Sequence, residues 1–232
     1  MDPIAVLESR YGRRISLNYS SEEIRNLVSK GMIDAYIAST EDGFSPLGSN
    51  RCFLAADLGV PEAEISRLAD WNRFVNPRVS LVAIRSRRND SGLRGIILAA
   101  SESSESYKRF AVPRYGRPFR DFYYNVPYEA IAFACGNWGA QNIALSHLSG
   151  CGTFHKDIAI CNAEALAHYF DATPSAMVKS FMFVGCCISR EHLAGIARLN
   201  TDAMTGQHHS ISTEVHHCDG YNLVHLTFNQ YS

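Results

Sequence analysis

Apolar positions along this chain alternate between two spacings, short continuous runs and stripes with helical period, and that alternation predicts an α/β protein. Helical spacing comes first, over Ser21 to Gly31, where Ser20-Ser21-Glu22-Glu23 offers N-cap hydroxyls and first-turn acids and Gly31 sits where a helix stops. Ile33 to Thr40 reads as a buried strand, followed by a loop over Asp42 to Asn50 that contains Gly43, Pro46 and Gly48. Pro61-Glu62 opens a helix through Ile65, Leu68, Trp71 and Phe74, with proline suited to the first turn. Ser80 to Arg85 and Gly95 to Ala100 then read as a hairpin or as neighbouring strands around the turn-like Arg88-Asn89-Asp90-Ser91-Gly92.

From Glu102 to Asn125 the pattern changes. Arg109, Arg114, Arg117 and Arg120 are interleaved with Tyr107, Phe110, Tyr115, Phe119, Phe122, Tyr123 and Tyr124, and Pro113 and Pro118 argue against a regular helix, so a long aromatic and basic loop is expected. Regularity returns at Pro127: a helix over Tyr128 to Trp138, a strand over Asn142 to Leu148, a helix over Asp157 to Phe170, a strand over Val178 to Cys187 and a helix over Arg190 to Leu199. Such alternation predicts a three-layer α/β/α domain with a mixed, mostly parallel sheet. Asp219-Gly220, between Cys218 and Tyr221, predicts a C-terminal β-hairpin.

Composition adds boundaries. The 232 residues, 46% hydrophobic and 19% charged, suit one domain over 1–232, with its core over 20–200 and the hairpin extension over 205–232. A net charge of -1, from 22 basic and 23 acidic residues, supplies no global field for gathering nucleic acid or an anionic membrane. An anionic ligand must therefore be held locally, which favours a small molecule over a polymer. The N-terminus has no basic flank followed by a long apolar core, and no run approaches the ~20 apolar residues of a membrane span, so a cytoplasmic protein is expected. The seven cysteines form no C-x-x-C pair, and Cys135, Cys161 and Cys186 fall in apolar surroundings, consistent with free thiols in a reducing compartment.

Candidate chemistry concentrates between Asn137 and Ala172. There an apolar segment, Asn142 to Leu148, breaks into Ser149-Gly150-Cys151-Gly152-Thr153-Phe154 and then into an amphipathic helix. Strand, glycine-punctuated turn and helix together make a phosphate or ribose cradle from backbone N–H groups, with the Ser149 and Thr153 hydroxyls as extra donors. A plain strand-to-helix turn with ordinary glycines is the other reading. His147, Cys151 and His155 lie close in sequence; on a strand His147 and Ser149 share a face, and a Cys151 thiolate would be stabilised by the following helix N-terminus. His147 and Cys151 are thus catalytic candidates, with a structural thiol as the alternative, since the sequence identifies neither an oxyanion hole nor an orienting acid.

The C-terminal hairpin holds His208, His209, His216, His217, Cys218 and His225. Registered about Asp219-Gly220, it pairs Glu214 with His225 and sets His216 diagonal to both, while Ile211, Val215, Val224, Leu226 and Phe228 line the opposite face. Glu214, His216 and His225 are a candidate metal or acid/base group, against the reading of a solvated outer face. Arginines among tyrosines between Tyr107 and Tyr124 can stack on a base and neutralise phosphates, or simply pack over the sheet edge. Trp138 and Trp71 read as core residues, and the aromatic loop and hairpin as surfaces for a homodimer.

Taken in order, the helix Tyr128-Glu129-Ala130-Ile131-Ala132-Phe133-Ala134, the strand Asn142-Ile143-Ala144-Leu145, the Ser149-Gly150-Cys151-Gly152 turn, the helix to Phe170 and the strand from Val178 to Val184 resemble the second half of a macro domain. More loosely, Ile37-Ala38-Ser39-Thr40 stands where that family has an aliphatic strand ending in an Asn-rich turn. The resemblance implies a cleft at the strand C-terminal ends for an ADP-ribose-type nucleotide: Ser149, Gly150, Cys151, Gly152, Thr153 and Phe154 at the diphosphate, Ser39 and Thr40 beside the proximal ribose, and Asn50 nearby. It implies either an ADP-ribosyl or nucleotide hydrolase or a non-catalytic module that recognises a nucleotide signal, in both cases without a cofactor. A metal-dependent hydrolase centred on Glu214, His216 and His225 is a third expectation. Two family stretches, a Gly-Asp-Ile-Thr-like one and an Asn-rich turn leading to a triple glycine and Val-Asp, have no counterpart, so the adenine-binding acid and the asparagine of hydrolytic members are not placed.

Overall fold

A computed structural model describes residues 5–8, 12–40, 56–65, 81–88, 90, 92–100, 119–146, 165–170, 172–173, 175–184, 211–218 and 221–228. Its strands are β1 (Ala5–Glu8), β2 (Arg14–Ser20), β3 (Ala35–Thr40), β4 (Leu81–Arg85), β5 (Gly95–Ala100), β6 (Asn142–Ser146), β7 (Ser180–Val184), β8 (Ile211–Cys218) and β9 (Tyr221–Phe228). They form a sheet in the order β1-β2-β7-β6-β3-β5-β4-β9-β8. The inner run β2, β7, β6, β3 and β5 is parallel throughout, and β1 and β4 flank it antiparallel. This is the mixed, mostly parallel sheet expected from the alternating pattern, with β4 and β5 paired as an antiparallel hairpin.

Both faces of β3, β5, β6 and β7 are buried, which is why they read as continuous apolar runs. On one face Ala35, Ile37, Ile97, Ile143, Leu145, Phe181 and Phe183 pack with Ala130, Ile131 and Ala134 of helix α2 (Phe119–Trp138) and with Leu166 and Phe170 of the helical segment 165–170. On the other, Tyr36, Ala38, Ile96, Leu98, Ala144 and Met182 pack with Leu27 of helix α1 (Ile24–Ser29) and with Leu58, Val60 and Ile65. Full burial of each large side chain contributes about 1.5–3 kcal/mol, so the three layers are held mainly by these two clusters.

Three details differ from the sequence expectation. Helix α1 starts later: Glu23 is its N-cap without a side-chain cap bond, and the Ser20 hydroxyl instead accepts the Glu22 N–H at 3.0 Å. Ser20 closes β2, so its hydroxyl serves the strand-to-helix turn rather than the helix itself. Gly31 ends α1 as predicted: at φ 65 it lets its own N–H bond the Val28 carbonyl and the Met32 N–H bond the Leu27 carbonyl, both at 2.9 Å. Second, α2 is helical from Phe119, directly after Pro118, and carries Pro127 inside it, whereas the sequence reading kept 119–125 in a loop. Proline before a first turn is compatible with a helix, whereas Pro127, which has no N–H, cannot bond the Tyr123 carbonyl and crowds it with its ring, a local cost that the packing of α2 on the sheet offsets. Third, β1 and β2 add a flank that the apolar pattern does not predict.

Of the remaining expectations, the helix from Pro61 is seen over 62–65 and that ending at Phe170 over 165–170. The helix over Arg190 to Leu199 and most of the aromatic loop lie outside the described residues. The backbone pairing of β8 and β9 sets Glu214 opposite His225 and His216 opposite Leu223, with β9 beside β4.

Candidate functional site: the C-terminal rim of the parallel strands

The five parallel strands end along one rim. Ser20 of β2 pairs with Val184 of β7, Val184 with Ser146 of β6, and Thr40 of β3 with Ala100 of β5. Open α/β sheets place ligands beyond this edge because every crossover there leaves loops and helix N-termini above the strand ends. Ser20 is 3% exposed and is the polar residue that the described core buries. Below the rim, the buried Tyr36 side chain, near the start of β3, hydrogen-bonds the side chain of half-buried Ser146, and burial pushes the Tyr36 phenol above its ordinary value of 10.0.

The opposite edge is tied differently. Both carboxylate oxygens of Asp34 accept the Gln141 N–H, at 3.1 and 3.0 Å, and Oδ1 also accepts the Asn142 N–H at 3.0 Å. Arg94 stands 3.5 Å from that carboxylate and donates to the Trp138 carbonyl at 2.6 Å. Trp138 is buried, edge-on to Phe133 at 5.5 Å between ring centroids, and its indole covers Gly95, as expected of a core tryptophan.

Between α2 and segment 165–170 runs a seam of polar aromatics. Tyr128 meets His168 and Tyr169 at 5.7 and 5.6 Å, and the Tyr169 hydroxyl bonds the Cys135 thiol. Burial pushes Cys135 up to about 11, with the Asp34 carboxylate adding to the rise. A thiol held neutral this far is a packing group and not a nucleophile.

The rim receives part of the predicted site. Ser39 and Thr40 end β3 there, with backbones opposite Ala99 and Ala100; their side chains lie outside the described residues. Asn50, His147, Ser149, Gly150, Cys151, Gly152, Thr153 and Phe154 also lie outside them, β6 being described to Ser146. Glu214, His216 and His225 belong to strands separated from β6 by β3, β5 and β4, so the topology does not bring them to the central rim. Among the described residues no group of three or more His, Cys, Asp or Glu could hold a metal ion; the side chains of β8 and β9 fall outside that set. Sequence reasoning missed the Tyr36–Ser146 pair, whose partners become neighbours only through the β3–β6 register.

This topology is that of a macro domain. A macrodomain from Oceanobacillus iheyensis with MES bound superposes with a TM-score of 0.52 at 10% identity, over 80% of this chain and 89% of that one. A Trypanosoma brucei macrodomain in complex with ADP-ribose gives 0.50 at 11% identity, over 79% and 68%. Tomato leucine aminopeptidase gives 0.52 at 15% identity, over 83% of this chain and 36% of that one. No protein-family model matches the chain, and no curated protein matches it in sequence. The likeness therefore defines the fold, a distant macro-like α/β domain. No helix among the described residues is long and apolar enough to cross a membrane.

Proposed function

We propose that the protein binds an ADP-ribose-type nucleotide in a cleft above the C-terminal ends of β6, β3 and their parallel neighbours. The observation that carries the reading is positional: β6 is flanked by parallel strands on both sides, and Ser149-Gly150-Cys151-Gly152-Thr153-Phe154 follows its described residues in the chain. A glycine-punctuated segment leaving a central parallel strand at this rim suits a diphosphate, because glycines allow N–H groups to converge on it without side-chain obstruction. Ser39 and Thr40, ending the adjacent β3, border the proximal ribose, and Asn50 follows them in the chain. Support also comes from the Trypanosoma brucei macrodomain of the same fold, solved with ADP-ribose. Because the fold is shared with an aminopeptidase, the ligand has to be tested directly.

Isothermal titration with ADP-ribose, followed by chromatography of the recovered ligand, tests the reading. Saturable heat is expected from the native chain. Gly150→Glu, which adds bulk and negative charge to the cradle, should abolish that heat while leaving the far-UV spectrum and melting profile in place. Free ADP-ribose recovered as AMP and ribose 5-phosphate identifies a hydrolase in which a positioned water attacks a phosphorus and breaks the P–O–P bond. Attack at the ribose C1 needs a leaving group, so it is read as ADP-ribose released from an ADP-ribosylated peptide; in either case His147 and Cys151 are the side chains to replace. Free ligand and peptide that both come back unchanged identify a recognition module. A native chain that gives no heat overturns the reading.

A further inference from the structure

The near-zero net charge of the chain conceals a basic ridge at the edge opposite the rim. Antiparallel pairing of β4 with β5 sets Arg85 opposite Gly95, and the Ser86 N–H bonds the Arg94 carbonyl at 2.8 Å, so the two-stranded ribbon continues past the sheet into its turn. Arg85, Arg87, Arg88 and Arg94 are all exposed there, and the sequence between Arg85 and Arg94 has one acid, Asp90. The backbone that carries them is tied down. The Ser86 hydroxyl donates to the Arg88 carbonyl at 3.1 Å and accepts the Arg88 N–H at 3.2 Å, and the Arg87 N–H bonds the Leu58 carbonyl at 3.1 Å. Arg87 donates to both carboxylate oxygens of Glu64, at 3.1 and 2.9 Å, and Arg94 stands beside Asp34. Exposed ion pairs hold weakly and exchange with other anions, so these pairings do not bar a partner from the ridge.

The cations stand on both faces of the ribbon. Leu81 and Ala83 pack on the α2 side, so alternation along β4 puts Arg85 on that face. The Arg88 stem lies on the other: its Cγ is 3.5 Å from where a Cβ would stand at Gly59, between Leu58 and Val60 of the α1-side cluster. Arg94 lies between them at the start of β5. Three features narrow the partner. Guanidinium forks match phosphate oxygens bidentately. The exposed large apolar side chains among the described residues are Val6 and Met177, in β1 and ahead of β7, so this ribbon presents no apolar anchor for a peptide or a bilayer. A flat anionic surface would meet one face of the ribbon, whereas a groove walled by phosphates meets both. The major groove of a duplex, about 12 Å wide, admits a two-stranded ribbon.

We propose that the β4–β5 turn docks on duplex nucleic acid, with Arg85, Arg88 and Arg94 on backbone phosphates and no dependence on base sequence. Whole-chain charge balance excludes a global field, and a local ridge of this kind acts within a Debye length of its own cations. The surface lies at the edge away from the rim, so it does not rest on the nucleotide reading above, and a duplex held here leaves the rim open.

Fluorescence anisotropy of a labelled, mixed-sequence DNA duplex, titrated with the full chain over a series of salt concentrations, tests it. Three phosphate contacts predict that affinity falls about fortyfold between about 50 and 200 mM salt. In the double variant Arg85→Gln, Arg88→Gln, binding should be weaker at every salt concentration, and the fall over the same interval should shrink to about threefold, since one contact remains. Asp90→Asn, which removes the acid of the turn, should tighten binding by about twofold. Both arginines are exposed, and a native melting profile for each variant shows that the fold is kept. Duplexes of different sequence should bind alike. No binding by the native chain at about 50 mM salt overturns the proposal, as does a double variant with native affinity and native salt dependence. Polyglutamate, single-stranded DNA or anionic vesicles that compete as well as the duplex at matched charge also overturn it, because each identifies a different partner for the ridge.

Discussion

The two edges of the parallel sheet solve opposite problems with similar residues. At the edge where β3, β5 and β6 begin, polar groups close on one another: Asp34 takes the Gln141 and Asn142 N–H groups, and Arg94 links that carboxylate to the Trp138 carbonyl. At the edge where the strands end, small hydroxyl residues stand at the rim, Ser20 in β2, Thr40 in β3 and Ser146 in β6, and the chain leaves toward its glycine-rich segment. Carboxylate and guanidinium groups staple the first edge, while neutral hydroxyls mark the second. Asp34 and Arg94 thus serve the structure of one edge, away from the rim at which the nucleotide is proposed to bind.

If that division is right, damage at the first edge should lower stability and spare ligand affinity. Gly95→Val is the severest test. A Cβ at Gly95 would stand 2.5 Å from the Ile84 carbonyl oxygen and 2.7 Å from the Trp138 ring, so either a neighbouring strand or the indole must move. Overpacking of this kind costs about 3 kcal/mol or more, measurable as a lowered guanidinium midpoint. Asp34→Ala comes next. It strands two backbone donors that now bond a carboxylate, for an expected loss of about 2 kcal/mol. In conditions where each variant remains folded, affinity for ADP-ribose should stay within twofold of native; a tenfold loss in Asp34→Ala would show that the two edges are not separable.

The sequence disclosed one edge of this comparison better than the other. The strands β3 to β7 were legible because burial on both faces makes their runs apolar, as in Gly95–Ala100 and Ser180–Val184. Gly31 was legible because helix termination leaves a local signature. By contrast, β1 has four residues, too few to establish a period, and β2 buries Ile15 and Leu17 on one face only. The start of α2 was hidden by its prolines and aromatics, whose preferences conflict with a helix that tertiary packing nonetheless supports. At the rim, Ser39 and Thr40 could be named because they close an apolar strand. The Tyr36–Ser146 pair could not, since it depends on two residues 110 positions apart in the chain meeting through one register.

The smallest effect concerns Cys135, which links the α2 seam to the stapled edge through the Asp34 carboxylate that helps hold its thiol neutral. An unfolded chain releases this proton near 9.0 and the folded chain near 11. Between those values the unfolded state has given up a proton that the folded state retains, so rising pH favours unfolding. The stabilisation is complete below pH 9.0 and is lost as pH climbs through about 11. At one pH unit above the unfolded value the loss is about 1.4 kcal/mol, which urea unfolding at a series of pH values can resolve. Cys135→Ala should make that decline shallower without abolishing it, because burial also raises the Tyr169 phenol above its ordinary 10.0. Asp34→Asn, which removes the charge but keeps a carbonyl acceptor, should leave the onset near 9.0, end the decline at a lower pH and make the total loss smaller. If the decline is the same in all three proteins, the seam titrates independently of the edge, and the polar groups there form two separate structures instead of one.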